Sequence, residues 1–422
     1  MQNSGYASIP NSLVYWTTFL LEALPLRSIP CFIELFFGAM ISPGGCVTQA
    51  YLSVTMTNHW TSYYKWLQEG CWSWLGLVRQ FVRLTLSLVN DPVIYLAIDD
   101  TLTLRASKKA PCSQIHHQHG RKVNLSDYVQ AQCWVNLSCV LRIGNQTTSI
   151  PWVSRFVSSQ SNTNKLETAK VLIRSVITFL IQRKVRVLVD SWYMRSTFVQ
   201  YALGKGLHVI GQARIDTALH DLPPKHDGKR GRPKKYGDKY TAQRIGPLKR
   251  TVYEPFLYGK KQKVRYRSRV VLCRFLNGLM VRAVWCELLG ANGEWTKTRL
   301  LISTDPTLTP EQIIEDYSLR WSIEPMFNQL KNAWGLKQAW QQTHRVLHRW
   351  FHIKTVSYGI LQLLRCFEEQ SALELCQHSG WRKENIVTAG QIRIGLRRIL
   401  MHVKVRDWWN RKARKIIPKI LR

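Results

Sequence analysis

The chain has 422 residues, 45% of them hydrophobic and 11% aromatic, which excludes a disordered or low-complexity protein and allows two or three domains with real cores. Lysine and arginine number 60 against 26 acids, a formal charge of +34; the excess runs through the whole chain and points to a polyanion, nucleic acid first, with an anionic membrane surface as the rival. Ten cysteines show no C-x-x-C pair and no regular spacing, and read as mostly buried thiols of a reducing compartment.

The apolar stretch "LVYWTTFLLEALPLRSIPCFIELFFGAMI" is interrupted by Glu22, Pro25, Arg27, Pro30 and Glu34. No run reaches the ~18 apolar residues a membrane span needs. The opening "MQNSGYASIPNS" has no cationic region, so neither a signal peptide nor a membrane partner is expected, and a cytoplasmic, nucleoid-associated protein is. Residues 13–90 read as helices, with Thr57 or Asn58 as a cap for the segment starting at "NHWTSYY". Aromatic and basic residues alternate there, which suits a core at least as well as a DNA-contacting helix pair.

Then the period changes. "VIYLAIDD" (93–100) is a short apolar run ending in acids, as buried strands do; "YVQAQCWVNLSCVLRI" (128–143) and "TSIPWV" (148–153) follow as strands. An amphipathic helix is predicted over 166–183, a buried strand at "VRVLVD" (185–190), a helix over 193–205 and a strand at "HVIGQA". The Pro-, Gly- and Lys-rich 223–241 is a loop. Alternating runs after 250 predict antiparallel strands, and 310–376 is helical. "HHQH" (116–119) lacks a second ligand pair and reads as a polar loop.

Two buried strands thus end in carboxylates, Asp99/Asp100 and Asp190, and a third carboxylate, Glu324, sits on a later helix. Isolated buried charge is costly, and three carboxylates cannot neutralise one another. A pair of Mg²⁺ ions can, since hard cations favour carboxylate oxygen and keep places for substrate phosphate. The stretch "YSLRWSIEPMFNQLK" (317–331) adds detail. On a straight helix Tyr317, Arg320, Glu324 and Lys331 fall within an arc of about 60°, but Pro325 implies a kink or a restart.

The order strand, meander, helix, strand, helix resembles the ribonuclease-H-like α/β fold. The pattern Y-x2-R-x3-E-x6-K at Tyr317, Arg320, Glu324 and Lys331 resembles the signature of insertion-sequence DDE transposases of the IS-four superfamily. "DDT" (99–101) and "VLVDSWY" (187–193) resemble that family's first two catalytic blocks, and "VIGQARIDTALHDLPP" followed by "GKRGRPKKYG" looks similar to a branch akin to the IS-seven-zero-one type. The resemblance, which covers about 90–365, implies a ribonuclease-H-like core in two parts (91–215 and 310–375). A basic, β-rich insertion (216–309) would fill the gap between Asp190 and Glu324. A helical N-terminal domain for DNA ends (1–90) and a basic tail (376–422) would complete the chain.

The same resemblance implies an endonuclease and strand transferase. Asp99, Asp190 and Glu324 would hold two Mg²⁺, with Mn²⁺ able to substitute. Spacing before the Thr selects Asp99 as the first acid. The phrase "LAI-acid-Asp-Thr" selects Asp100, and strand alternation turns only one of them inward; Asp99 is preferred, Asp100 held in reserve. Tyr317, Arg320 and Lys331 would grip phosphates. "RGRPKK" resembles an AT-hook core, making Arg230, Arg232, Lys234 and Lys235 DNA-binding candidates. Trp285 or Trp295 is a candidate for stacking on a flipped base, although core packing is the commoner role. The implied partners are double-stranded DNA, as terminal inverted repeats and as target, and a second copy of the chain. The rival readings are a domesticated DNA-binding protein and a ribonuclease-H-like nuclease.

Overall fold

The computed structural model describes residues 9–107, 110–118, 124–144, 146–157, 162–224, 232–376 and 387–418. Five helices come first: α1 (Asn11–Leu21), α2 (Ile29–Ile41), α3 (Val47–Tyr51), α4 (Trp60–Glu69) and α5 (Trp74–Leu88). Helix α2 is buried along nearly its whole length and apolar but for Glu34, whose carboxylate accepts from the Tyr63 hydroxyl at 2.8 Å and the Thr57 amide at 3.0 Å. Next are β1 (Val93–Leu104), β2 (Ser113–His117), β3 (Tyr128–Ile143) and β4 (Gln146–Phe156). After α6 (Asn162–Val176) come β5 (Lys184–Val189), α7 (Ser196–Leu203), β6 (His208–Ala213) and β7 (Leu219–His220).

The basic segment leads through α8 (Ala242–Ile245) to β8 (Thr251–Tyr253), β9 (Phe256–Leu257), β10 (Lys260–Lys261), β11 (Val264–Cys273), β12 (Leu279–Leu288) and β13 (Arg299–Ser303). Helices α9 (Pro310–Leu319), α10 (Ile323–Asn332), α11 (His344–Phe367), α12 (Glu369–Cys376) and α13 (Ala389–Leu400) follow.

Eleven of the strands form one mixed sheet, ordered β2-β3-β1-β5-β6-β13-β12-β11-β7, with β4 on β3 and β8 on β11. β1 is antiparallel to β3 and parallel to β5, and β5 is parallel to β6. β5 is buried on both faces from Val185 to Val189, its valines and Leu188 apolar and its one charged interior residue, Arg186, paired with Asp316. Pro151 of β4 sits where the register against β3 slips between Leu137 and Ser138, and an irregular edge position tolerates a residue with no N–H. Apart from the short β9–β10 pair, the strands between 250 and 303 do not form a sheet of their own. β13 pairs antiparallel with β6, Leu300 facing Ala213, and so continues the central sheet.

α11 is the packing hub, touching β4 and helices α2, α4, α5 and α13. Its Arg349 donates to the carbonyls of Leu67, Gly70 and Trp72 at 2.6–2.7 Å, meeting acceptors that the end of α4 leaves open. Its Lys354, fully buried, donates to Gly44 O at 2.8 Å. Burial pushes that ammonium down to about 7. The folded chain then binds fewer protons than the unfolded one between pH ~7 and ~10.5, so stability rises with pH across that window. Lys354→Met is expected to flatten that rise in urea titrations at pH 7 to 10. An unchanged slope would place the lysine outside the core.

The ten cysteines are all free thiols. Among the described residues no helix is long and apolar enough to cross a membrane.

Candidate active site

Successive side chains of a strand point to opposite faces, and Asp99 and Asp100 on β1 accordingly have different partners. Asp99 Oδ2 accepts from Arg320 Nη1 at 3.1 Å, and its Oδ1 from the backbone N–H of Asp100 at 2.8 Å. Asp100 is engaged on the other face. Lys165 Nζ of α6 donates to its Oδ2 at 2.8 Å, the Tyr193 hydroxyl to its Oδ1 at 3.0 Å, and Cys133 Sγ of β3 lies 3.4 Å from its Oδ2.

Asp190 stands immediately after β5, the strand parallel to β1, with Ile98 facing Val189. Its Oδ1 accepts the backbone N–H groups of Trp192 (3.0 Å) and Tyr193 (3.2 Å), a local turn that fixes the carboxylate's direction. Tyr193 therefore holds two acids, Asp190 through its N–H and Asp100 through its hydroxyl. Tyr193 was visible inside "VLVDSWY" but carried no signal of this role. Lys165 lies in a polar stretch ahead of the expected helix start at 166, with nothing to mark it.

The segment 317–331 is not one straight helix. α9 ends at Leu319, residues 320–322 make a 3₁₀ turn, and α10 restarts at Ile323. Pro325 falls in the first turn of α10, where a missing N–H costs nothing. The break sets Arg320 between two elements. Its Nη1 reaches Asp99 and its Nη2 reaches Glu324 Oε1 at 3.1 Å. Tyr317, buried, lies with its ring 5.8 Å from the guanidinium. Lys331 is in the last turn of α10, about two turns from Glu324.

The charges are tightly coupled. Burial, with Asp190 and Asp100 nearby, pushes the Asp99 carboxyl up to about 7 despite Arg320. Burial also raises Asp190. Burial works against the Arg320 cation, but Tyr317, Asp99, Glu324 and Asp190 outweigh it and hold the guanidinium above its ordinary value. Arg320 Nε is buried and has no partner among the described residues, so the guanidinium is only partly bedded.

Among the described residues no three His, Cys, Asp or Glu side chains gather tightly enough to hold a metal ion as they stand. Arg320 instead provides the positive charge between Asp99 and Glu324. The donor chemistry does fit a hard divalent cation, being carboxylate oxygen from Asp99, Asp190 and Glu324 with no thiolate or imidazole among them. Mutual repulsion on Asp99 is the electrostatic mark of a site that takes positive charge.

The other candidates lie elsewhere. Arg232, Lys234 and Lys235 are exposed, with Lys235 Nζ 5.6 Å from the Tyr236 ring centroid; Arg230 is outside the described residues, as is His119 of "HHQH". Trp285 is buried in β12, its ring 6.0 Å from that of Tyr240. Trp295 is half-buried under the Arg265 guanidinium, 4.4 Å from the ring centroid.

No curated protein matches the chain. Among solved structures it is similar to the NurA nuclease from Sulfolobus solfataricus at 9% identity, over 63% of this chain and 86% of that one, with a TM-score of 0.24; a likeness that weak carries no argument. The family described as DDE superfamily endonuclease matches residues 31–270. That span is more than half of the chain, takes in Asp99 and Asp190, and ends before Glu324. With two acids of the cluster inside it, the chain belongs to the DDE superfamily endonucleases.

Proposed function

We propose that this endonuclease is a transposase of the IS-four superfamily, in a branch akin to the IS-seven-zero-one type. It cuts DNA at the ends of its element and joins the freed 3′-hydroxyl to target DNA. The observation that carries this reading is Arg320 holding Asp99 and Glu324 together with Asp190 nearby. Three acids distant in sequence thus share one charged neighbourhood at the carboxyl end of β5. The strand order β4-β3-β1-β5-β6, antiparallel on one side of β1 and parallel on the other, supports a ribonuclease-H-like core.

Asp99, Asp190 and Glu324 would hold two Mg²⁺ ions, with Asp100 held off by Lys165 and Tyr193. Bound metal would lower the pKa of water and stabilise charge on the attacking and leaving oxygens. The protein's part would be to keep Asp190 fixed through the Trp192 and Tyr193 amides, and to favour the ionised form of Asp99 through Arg320 against the pull of burial. With its carboxylate partners held by metal, Arg320 would be free to bind a phosphate, beside Tyr317 and with Lys331 further along α10. The exposed Arg232, Lys234 and Lys235, with Arg230, would follow the DNA outside the site, and a second copy of the chain would hold the other element end.

Because Asp99 titrates near 7, binding of Mn²⁺ without DNA should strengthen as pH rises from 6 to about 7 and level off above, with protons released. Calorimetry in two buffers of different ionisation heat reads this directly. Affinity that does not vary across that range would remove Asp99 from the ligand set.

The decisive experiment uses the DNA flanking the gene. With Mg²⁺, the purified chain should nick a duplex carrying those ends and join it to a second duplex. Cutting without joining would favour a plain nuclease, which the family assignment equally allows. Binding without cutting would favour a domesticated DNA-binding protein.

A further inference from the structure

A cavity of about 660 Å³ opens beside Asp190, starting from the next residue, Ser191. Its volume is that of an ordinary small-molecule cleft. Three arginines from three separate segments face it: Arg195 ahead of α7, Arg214 after β6 and Arg274 in the turn between β11 and β12. One acid, Asp216, also lines it, and pairs only with Arg214, at 3.1 Å and largely in solvent. Among the described residues no side-chain partner engages Arg195 or Arg274. Gathering like charges without counter-ions is unfavourable, and an anionic ligand reverses the sign.

The interior is apolar. Met194 is buried, Phe275 half-buried, and Ala213 closes one side. Gly211 on β6 makes room for this floor. A Cβ there would stand 2.7 Å from Val189 Cγ2 and 2.9 Å from Met194 Sδ, driving the methionine outward. An aromatic ring and a thioether under a rim of arginines is how proteins seat an unpaired base with its phosphates.

We propose that this cleft binds one unpaired nucleotide of the DNA strand passing Asp190, its base against Phe275 and Met194 and its flanking phosphates on Arg195 and Arg274. The assignment rests on DNA being the substrate, as in the reading above. It differs from that reading in needing neither metal nor cleavage.

The test is fluorescence anisotropy of a labelled twelve-residue oligo-dT with the full chain in EDTA, from 50 to 300 mM salt. The same arms are run on a twelve-base-pair duplex. Arg195→Ala/Arg274→Ala should weaken oligo-dT binding at least tenfold and reduce the slope of log affinity on log salt by about 1.4, two contacts at about 0.7 each. Phe275→Leu keeps the burial and loses the stacking face; it should weaken binding about fivefold or more with the slope unchanged. Arg411→Ala/Lys412→Ala removes two charges elsewhere and serves as the reference.

The proposal is overturned if the arginine pair behaves like that reference, if Phe275→Leu binds as wild type, or if both changes weaken duplex as much as oligo-dT. Capture of polyglutamate in preference to oligo-dT would overturn it in favour of an acidic protein partner. If wild type never cuts the flanking DNA while arginine-dependent oligo-dT binding persists, the transposase reading fails and the cleft assignment stands.

Discussion

Asp190→Ala and Glu324→Gln should each slow Mg²⁺-dependent DNA cleavage by about a thousandfold or more, equivalent to about 4 kcal/mol of barrier. Both changes remove a carboxylate that would carry metal, so Mn²⁺ binding should weaken in parallel. Asp190→Ala also loses the acceptor for the Trp192 and Tyr193 amides, and circular dichroism should accompany the assay. Arg320→Gln provides the contrast. Removing the guanidinium takes away the cation that competes with metal at Asp99 and Glu324. Mn²⁺ affinity should hold or rise while cleavage still falls, by about a hundredfold, the scale of one lost electrostatic stabiliser of the transition state. Two carboxylate variants cutting as fast as wild type would show that the site has been assigned to the wrong residues.

The largest stability effect should come from Asp316, one turn before Arg320 on α9. Its carboxylate takes Arg186 Nη1 of β5 at 2.5 Å and the Tyr95 hydroxyl of β1 at 2.8 Å, and both members of the ion pair are almost fully buried. Arg186 Nη1 also reaches the Tyr95 oxygen at 3.2 Å. This triad fastens α9 onto the two parallel strands that carry Asp99 and Asp190. Asp316→Ala leaves Arg186 buried and unpaired, which should cost about 3–5 kcal/mol. Tyr95→Phe removes one hydrogen bond and should cost about 1 kcal/mol. Urea unfolding midpoints read both, and an Asp316→Ala loss no larger than that of Tyr95→Phe would contradict the burial.

Much of this was legible in the sequence where the pattern is local. The quoted run 128–143 is β3 residue for residue, because a long apolar alternation with β-branched side chains admits little else. The run 185–190 matches β5 closely for the same reason. Helix limits were less legible. The helix expected over 166–183 starts at Asn162 and ends at Val176, before a short 3₁₀ turn, since polar first turns carry no apolar period.

Non-local pairing left no trace. The spacing of Arg320 and Glu324 announces an i,i+4 contact, whereas the bond from Arg320 to Asp99, across 221 positions, does not show in either segment. The sequence thus suggests a phosphate ligand at Arg320 and does not show the two carboxylates, Asp99 and Glu324, that its guanidinium bridges in the fold. In the same way, the alternation after 250 reveals strands but not that they join the sheet through β6.

That junction has a consequence for how such a chain can vary. Leu300 faces Ala213 across the β6–β13 pair, so the chain departs from the core and re-enters it at neighbouring points. The whole excursion between them is a cassette with a closed mouth. Its length can vary at the exposed turns, whereas Tyr266 and Arg282, bonded to Glu311 of α9 and to the Pro306 carbonyl ahead of it, tie the excursion to the helix that leads to Glu324.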